Sequence, residues 1–363
     1  MHVSEIDTPA LVVDLDRFER NLHRVADYAR QHGLRLRPHT KTHKSVYVAG
    51  LQQELGAAGL TVAKIGEAEV MLQAQPADLL VAFPIVGRAK LERLMDVARR
   101  TRVTVALDSM IAVEQLAEAA RAAGVTIGVL AEADVGLGRV GVAPGPALVE
   151  LAQSIRKQPN LRFEGVTFYP GHIKSLDEAG LRAIEQLSAL LQSMLADLRA
   201  AGFDTPIVSG GSTPTLFHSH ELAGLTEIRP GTYVFNDYNT YLSGACALED
   251  CAATILATVV STARKGHMII DGGSKTFSSD RPNNGEVTFG YLTEAPEARF
   301  HKMNEEHGFV DLTRASCEFR VGDRVHVIPN HICVAVNLHE QVYGLRGETV
   351  ERVWKVDGRG KLQ

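Results

Sequence analysis

The stretch RPHTKTHKS, residues 37–45, gathers Arg37, His39, Lys41, His43 and Lys44 directly after LRLRP, a short run that reads as a strand. A lysine at the mouth of a pocket can form a Schiff base with an aldehyde, most readily when its pKa is depressed. Like-charge repulsion from Arg37, Lys44 and His39 would depress Lys41. The same lysine also reads as an ordinary solvated loop residue, and His43 and Lys44 as the exposed start of the next helix. A second stretch, IVSGGSTPT at 207–215, follows another apolar run. There Gly210 and Gly211 let main-chain N–H groups approach an anion, while Ser212, Thr213 and Thr215 add hydroxyl donors. An amine in one loop and an anion nest in another suit a ligand that combines an aldehyde with a phosphate, and that ligand is pyridoxal 5'-phosphate (PLP). A third stretch is PNHICVAVNL. On a strand His331 and Cys333, two apart, share a face, and imidazole with thiolate suits zinc or a similar divalent ion.

The elements that must position these groups are legible in the hydrophobic pattern. From residue 9 to about 240, short apolar runs alternate with stretches of helical length. ALVVDL, LRLRP, GLTVAKI, DLLVAFP, VTVALD, TIGVLAEAD, FEGVTFY and PIVSGG read as strands. In DRFERNLHRVADYARQHG, Phe18, Leu22, Val25 and Tyr28 recur on one helical face and Gly33 stops the helix. Strand-helix alternation with near-continuous apolar strands predicts a parallel (β/α)8 barrel, which places chemistry at the C-terminal ends of its strands. FYPGH then brings Tyr169 and His172 to the pocket after the seventh predicted strand, and SGGSTPT follows the eighth. Residues 241–363 are β-rich, with Gly, Asn and Pro turns, and predict a separate β domain that residues 1–8 join.

The 363-residue chain is 45% hydrophobic and 22% charged, with a net charge of -5. That balance argues against a nucleic-acid surface and makes the basic cluster a local feature. No apolar run reaches the length of a membrane span and the N-terminus lacks the pattern of a signal peptide, which points to the cytoplasm. The four cysteines, Cys246, Cys251, Cys317 and Cys333, are too few for a disulfide framework.

Taken together, TPALVVDLDRFERNL, RPHTKTHKS, EADVGLGRVGV, SGGSTPT, IRPGTYVF, NEEHG and PNHIC resemble the D-threonine aldolase and D-serine dehydratase family, which has the alanine racemase type of PLP fold. The resemblance runs through nearly the whole chain. It implies a PLP barrel followed by a β domain, with Lys41 as the Schiff-base lysine and His39, Arg139, Tyr169, Ser209, Gly210, Gly211, Ser212 and Thr213 around the cofactor. Arg139 would sit by the pyridine nitrogen; the competing reading is a salt bridge to Glu132 or Asp134. It also implies a divalent metal (Zn, Mn or Mg) on His331 and Cys333, close to the cofactor. His172, from its place in FYPGH, is the barrel's best candidate for a base at the substrate hydroxyl, the competing reading being a histidine satisfied structurally.

These parts imply a lyase acting on a small D-β-hydroxy amino acid. Cleavage of Cα–Cβ gives an aldolase, and loss of the hydroxyl gives a D-serine or D-threo-3-hydroxyaspartate dehydratase. The VNLHE and ERVWKVDGRGK segments resemble the aldolase branch, and D-threonine aldolase is the leading expectation. Cys333 departs from it, since aldolases of the family carry a carboxylate there and dehydratases a cysteine. An amino-acid racemase would need an opposing tyrosine such as Tyr343 or Tyr241 but has no use for the metal pair. A single-barrel PLP carrier would lack the β domain. Fold-mates suggest a homodimer.

Overall fold

The computed structural model describes residues 1–363 and divides into two compact units. One comprises residues 24–41, 46–231 and 360–363; the other comprises 1–23, 42–45 and 232–359.

The first unit is an eight-stranded parallel sheet of barrel type. Its strands are Arg35–Leu36, Leu60–Val62, Asp78–Val81, Arg102–Leu107, Ile127–Ala133, Leu161–Phe168, Ile207–Gly210 and Glu227–Ile228. The first lies beside the last, with Arg35 opposite Glu227. It closes on the second through Ala58 N–H to Leu36 O (2.8 Å) and Thr61 N–H to Pro38 O (2.9 Å). The strands are mostly apolar and buried, Ile127–Ala133 at every position, because a parallel sheet is covered on both faces. Helices between the strands start and stop where the sequence provides caps. Met110–Ala123 begins with Ser109 Oγ accepting from Ala112 N (3.2 Å) and ends at Gly124 in the left-handed region.

The barrel interior also holds a charged layer. Arg37, 1% exposed, donates to Asp78 and to Glu227, each at 2.8 Å. Glu164 accepts from Arg102 (2.7 Å) and Thr104 (2.9 Å). A Cβ at 128 would stand 2.6 Å from the Glu164 carboxyl and would have to displace it from its partners.

The second unit is a sheet centred on Ala253–Ser261, which pairs antiparallel with Ala10–Asp14, with Arg324–Pro329 and with His267–Ile270. Its core includes Phe18 stacked between Phe235 and Trp354 at 5.8 and 6.1 Å.

Three expectations are corrected. ALVVDL is not a barrel strand: Ala10–Asp14 lies parallel to Gln341–Arg346 in the other sheet. A short strand apolar over four of its five residues carries no mark of which sheet it joins. The eighth barrel strand is instead Glu227–Ile228, two residues long, so FYPGH follows the sixth strand and SGGSTPT the seventh. Finally, His331 and Cys333 are not on a strand. The strand ends at Pro329 and Ile332–Leu338 is a helix with His331 as its N-cap.

Candidate active site

Within the barrel unit, the predicted residues gather at the C-terminal ends of neighbouring strands. Lys41 stands two residues beyond His39, whose Nδ1 accepts from Lys41 N (3.4 Å), and His39 itself bridges to Thr61. The Lys41 amine lies 6.0 Å from the centroid of the Tyr169 ring, and the Arg139 guanidinium lies 4.8 Å from the same centroid. Amine and guanidinium thus share one aromatic ring. Arg139 makes no salt bridge to Glu132 or Asp134. The Asp134 carboxylate is occupied by the N–H groups of Gly136 (3.0 Å) and Gly138 (3.1 Å), which hold it below the usual carboxylate range. The His172 ring rests against the same loop, 3.2 Å from where a Cβ on Gly136 would stand.

The turn after Ile207–Gly210 is buried at Gly211, Ser212 and Thr213. Gly211 has φ +90, and the N–H groups of Gly211, Ser212 and Thr213 donate to no protein acceptor. Ser212 Oγ and Thr215 Oγ1 are hydrogen-bonded at 3.1 Å. Ser209 differs from its neighbours, because its hydroxyl donates to Glu227 (2.7 Å) in the charged interior and is committed there.

The basic cluster separates into two kinds of residue. Arg37 is neutralised by Asp78 and Glu227, and its charge belongs to the interior network, not to the surroundings of Lys41. His43 and Lys44 are buried and do not form an exposed helix start. Lys44, with φ +48, donates to Gly358 O at 3.3 Å.

In the β unit, His331 and Cys333 meet although the strand premise fails, since an N-cap and the second residue of the following helix bring their side chains within hydrogen-bonding distance. Thr42 Oγ1 lies 3.2 Å from Cys333 Sγ. Asp237, unidentified from sequence, organises this corner. Its Oδ1 caps the helix Tyr238–Leu242 by accepting from Thr240 N (2.8 Å), and its Oδ2 lies 3.0 Å from His331 Nδ1 and accepts from Ile332 N (3.1 Å). The Cys333 thiolate, against the effect of burial and with Asp237 assisting, pushes the His331 imidazole up to about 12. No group of three or more His, Cys, Asp or Glu side chains is assembled as a metal site.

Comparison with known proteins now places the chain. Residues 13–239 match the family model described as "Alanine racemase, N-terminal domain", and 252–345 match "Putative serine dehydratase domain". The chain belongs to the alanine racemase N-terminal domain family. Among its relatives is the 3-hydroxy-D-aspartate aldolase of Paracoccus denitrificans (strain Pd 1222), 33% identical over 99% of this chain and 94% of that protein. The crystal structure of D-threonine aldolase from Filomicrobium marinum is similar with TM-score 0.93 and 32% identity, covering 99% of this chain and 98% of that one. A cysteine-to-alanine mutant of D-threo-3-hydroxyaspartate dehydratase in the metal-free form is similar with TM-score 0.91 and 32% identity over 98% of each chain. Asp237 has no spacing in the sequence that marks it as a partner of His331, and Arg229, in IRPGTYVF, lies beyond a strand too short to register.

Proposed function

We propose that the protein is a PLP- and divalent-metal-dependent lyase of D-β-hydroxy amino acids that cleaves D-threonine to glycine and acetaldehyde. The observation that carries the reading is the pairing of Lys41 and Arg139 on the Tyr169 ring, in the same strand-end layer as the three free N–H groups of Gly211, Ser212 and Thr213. The residues fit PLP: an amine for its aldehyde, a main-chain nest for its phosphate and a flanking arginine. They also fit a divalent ion, because a ligating histidine characteristically gives its other ring nitrogen to a carboxylate, and Asp237 stands in that relation to His331.

Bound PLP supplies an electron sink for the negative charge left at Cα when a bond there breaks, and a divalent ion supplies Lewis acidity. The protein's own residues do the rest. Lys41 anchors the cofactor by its amine, and the Gly211–Thr213 turn holds an anion by its N–H groups. Tyr169 provides a flat face that Arg139 shares. His172, beside Asp134, takes the proton from the substrate β-hydroxyl as the Cα–Cβ bond breaks. His331 and Cys333 hold the ion, and Asp237 orients His331. We place these residues in a homodimeric enzyme.

A second reading, dehydration, is favoured by one observation. The donor beside His331 is the thiol of Cys333, the type found in the dehydratase branch. Products separate the two. The holoenzyme incubated with D-threonine and Mn2+ or Zn2+ is expected to release glycine and acetaldehyde. Release of 2-oxobutanoate and ammonia would establish the dehydratase, and interconversion of enantiomers without either would establish a racemase.

A further inference from the structure

Two of the four cysteines belong to one turn of the β unit. The helix Tyr238–Leu242 leads into SGACALEDC, and within it Cys246 and Cys251 flank the single 3-10 turn Leu248–Asp250. That turn folds back on itself: Ala247 N–H donates to Asp250 Oδ2, and Asp250 N–H donates to Ala247 O, each at 3.1 Å. Its two ends are thereby drawn together, and the thiols of Cys246 and Cys251 are in hydrogen-bonding contact. Both are free thiols; Cys246 is half-buried and Cys251 is 1% exposed.

The turn is pinned from several elements of the unit. Asp250 O accepts from Asn21 Nδ2 (2.8 Å) and Asn236 Nδ2 (3.1 Å), and Cys251 O accepts from Arg17 Nη1 (3.3 Å). Cys251 N–H donates to Leu248 O (3.1 Å). The Cys251 thiol also donates to Asp237 O (3.5 Å), a carbonyl that Tyr241 N–H serves at 3.1 Å. A sulfur–sulfur bond here would therefore cost Asp237 O one weak donor and leave that carbonyl bonded. The neighbouring thiol, ahead of burial, holds the Cys251 proton on sulfur well above the usual thiol range. Since the thiolate is the reactive form, Cys251 is shielded from oxidants both by its burial and by its proton. Cys246 is the sulfur of the pair that solvent reaches.

We propose that Cys246 and Cys251 form a reversible redox site, in which a hydroperoxide oxidises Cys246 and Cys251 closes a disulfide on it. The Cys246 sulfur attacks the peroxide, the O–O bond breaks, and the sulfur becomes a sulfenic acid while the other oxygen leaves with the thiol proton as water or an alcohol. The Cys251 sulfur then attacks the Cys246 sulfur, the S–O bond breaks, and hydroxide leaves with the Cys251 proton as water. The two sulfurs together lose two electrons, and the peroxide gains them. The bond ties the segment between the helix that Asp237 caps and the central strand Ala253–Ser261, and a dithiol reductant reopens it. None of this depends on the lyase reading.

The experiment treats the purified protein with a small excess of hydrogen peroxide, alkylates the remaining thiols under denaturing conditions, and reads the proteolytic peptides by mass spectrometry. The peptide carrying Cys246 and Cys251 is expected to lose two hydrogens and both alkylation sites, and to regain both after dithiothreitol. Cys246→Ser is expected to leave Cys251 alkylatable at the same peroxide dose. Cys251→Ala is expected to leave Cys246 as a sulfenic acid that dimedone traps. If the alanine variant does not fold, Cys246→Ser, at the half-buried position, still tests the order of reaction. Peroxide that leaves both thiols alkylatable, that carries Cys246 only to the sulfinic acid, or that oxidises Cys251 in the Cys246→Ser protein overturns the proposal.

Discussion

At the residue scale, Lys41 is the point on which the account is most exposed. Its amine and the Arg139 guanidinium flank one ring, whereas Arg37, the other obvious cation of the cluster, is neutralised in the interior. The cluster therefore supplies one candidate amine and several structural residues, and not a collective basic surface. Lys41→Ala is expected to abolish the visible absorbance of the PLP-loaded protein and to lower D-threonine turnover roughly a thousandfold or more. A spectrophotometer and a glycine assay check both. A Lys41→Ala protein that keeps a borohydride-reducible link to PLP would move the anchor to another lysine. The corner proposed for the metal shows the same division of labour: His331 and Cys333 would be the donors, and Asp237, 3.0 Å from His331 Nδ1, orients the histidine.

At the scale of elements, two turns carry the site. The turn after Ile207–Gly210 owes its nest to Gly211, whose φ of +90 aligns the following N–H groups and leaves ordinary space where a Cβ would stand 3.5 Å from Ser219 Oγ. Gly211→Val would fail through strain and not through collision, since a β-branched residue in that region costs about 1–3 kcal/mol. Equilibrium dialysis is expected to show PLP affinity reduced at least roughly tenfold; unchanged affinity would place the phosphate elsewhere. Much of this was legible in the sequence. RPHTKTHKS, EADVGLGRVGV and SGGSTPT lie at strand ends because apolar runs bounded by glycine and proline reveal strands regardless of context. The assignment of Ala10–Asp14 to a sheet was not legible, because that choice is made by long-range pairing with Ala253–Ser261 and Gln341–Arg346. Glu227–Ile228 is too short to register as a strand. The His331–Cys333 pair was recognised on a mistaken premise: either a strand or a helix N-cap can bring those two side chains together, so residue type was informative where backbone geometry was not. Asp237 stayed hidden because its place beside His331 depends on a partner 94 residues away.

At the scale of the whole molecule, no helix is long and apolar enough to cross a membrane, and the barrel unit is held by a buried charge network as well as by its apolar layers. Burial pushes Glu164 up, but hydrogen bonds from Arg162, Arg102 and Thr104 more than offset it and leave the carboxyl below its usual value. A depressed folded-state pKa contributes stability that is fully present above the unfolded value, about 4.3, and is lost as pH falls through the folded one. Thermal stability is accordingly expected to drop on acidification below about pH 4.3, and Glu164→Gln to flatten that drop while costing about 1–3 kcal/mol at neutral pH. Calorimetry of both proteins across that range checks it, and an equally steep acid loss in the variant would assign the effect to other carboxylates. The central claim, that a PLP-holding barrel and a metal-holding β unit make one lyase, is tested most directly by chelation. D-Threonine turnover by the PLP-loaded protein is measured before EDTA, after EDTA, and after Mn2+ is restored, with the visible band recorded throughout. Turnover that vanishes with EDTA and returns with Mn2+, while the visible band of the Lys41-held cofactor stays constant, is the predicted result. Turnover that EDTA leaves untouched, in a protein without stoichiometric metal, would contradict it.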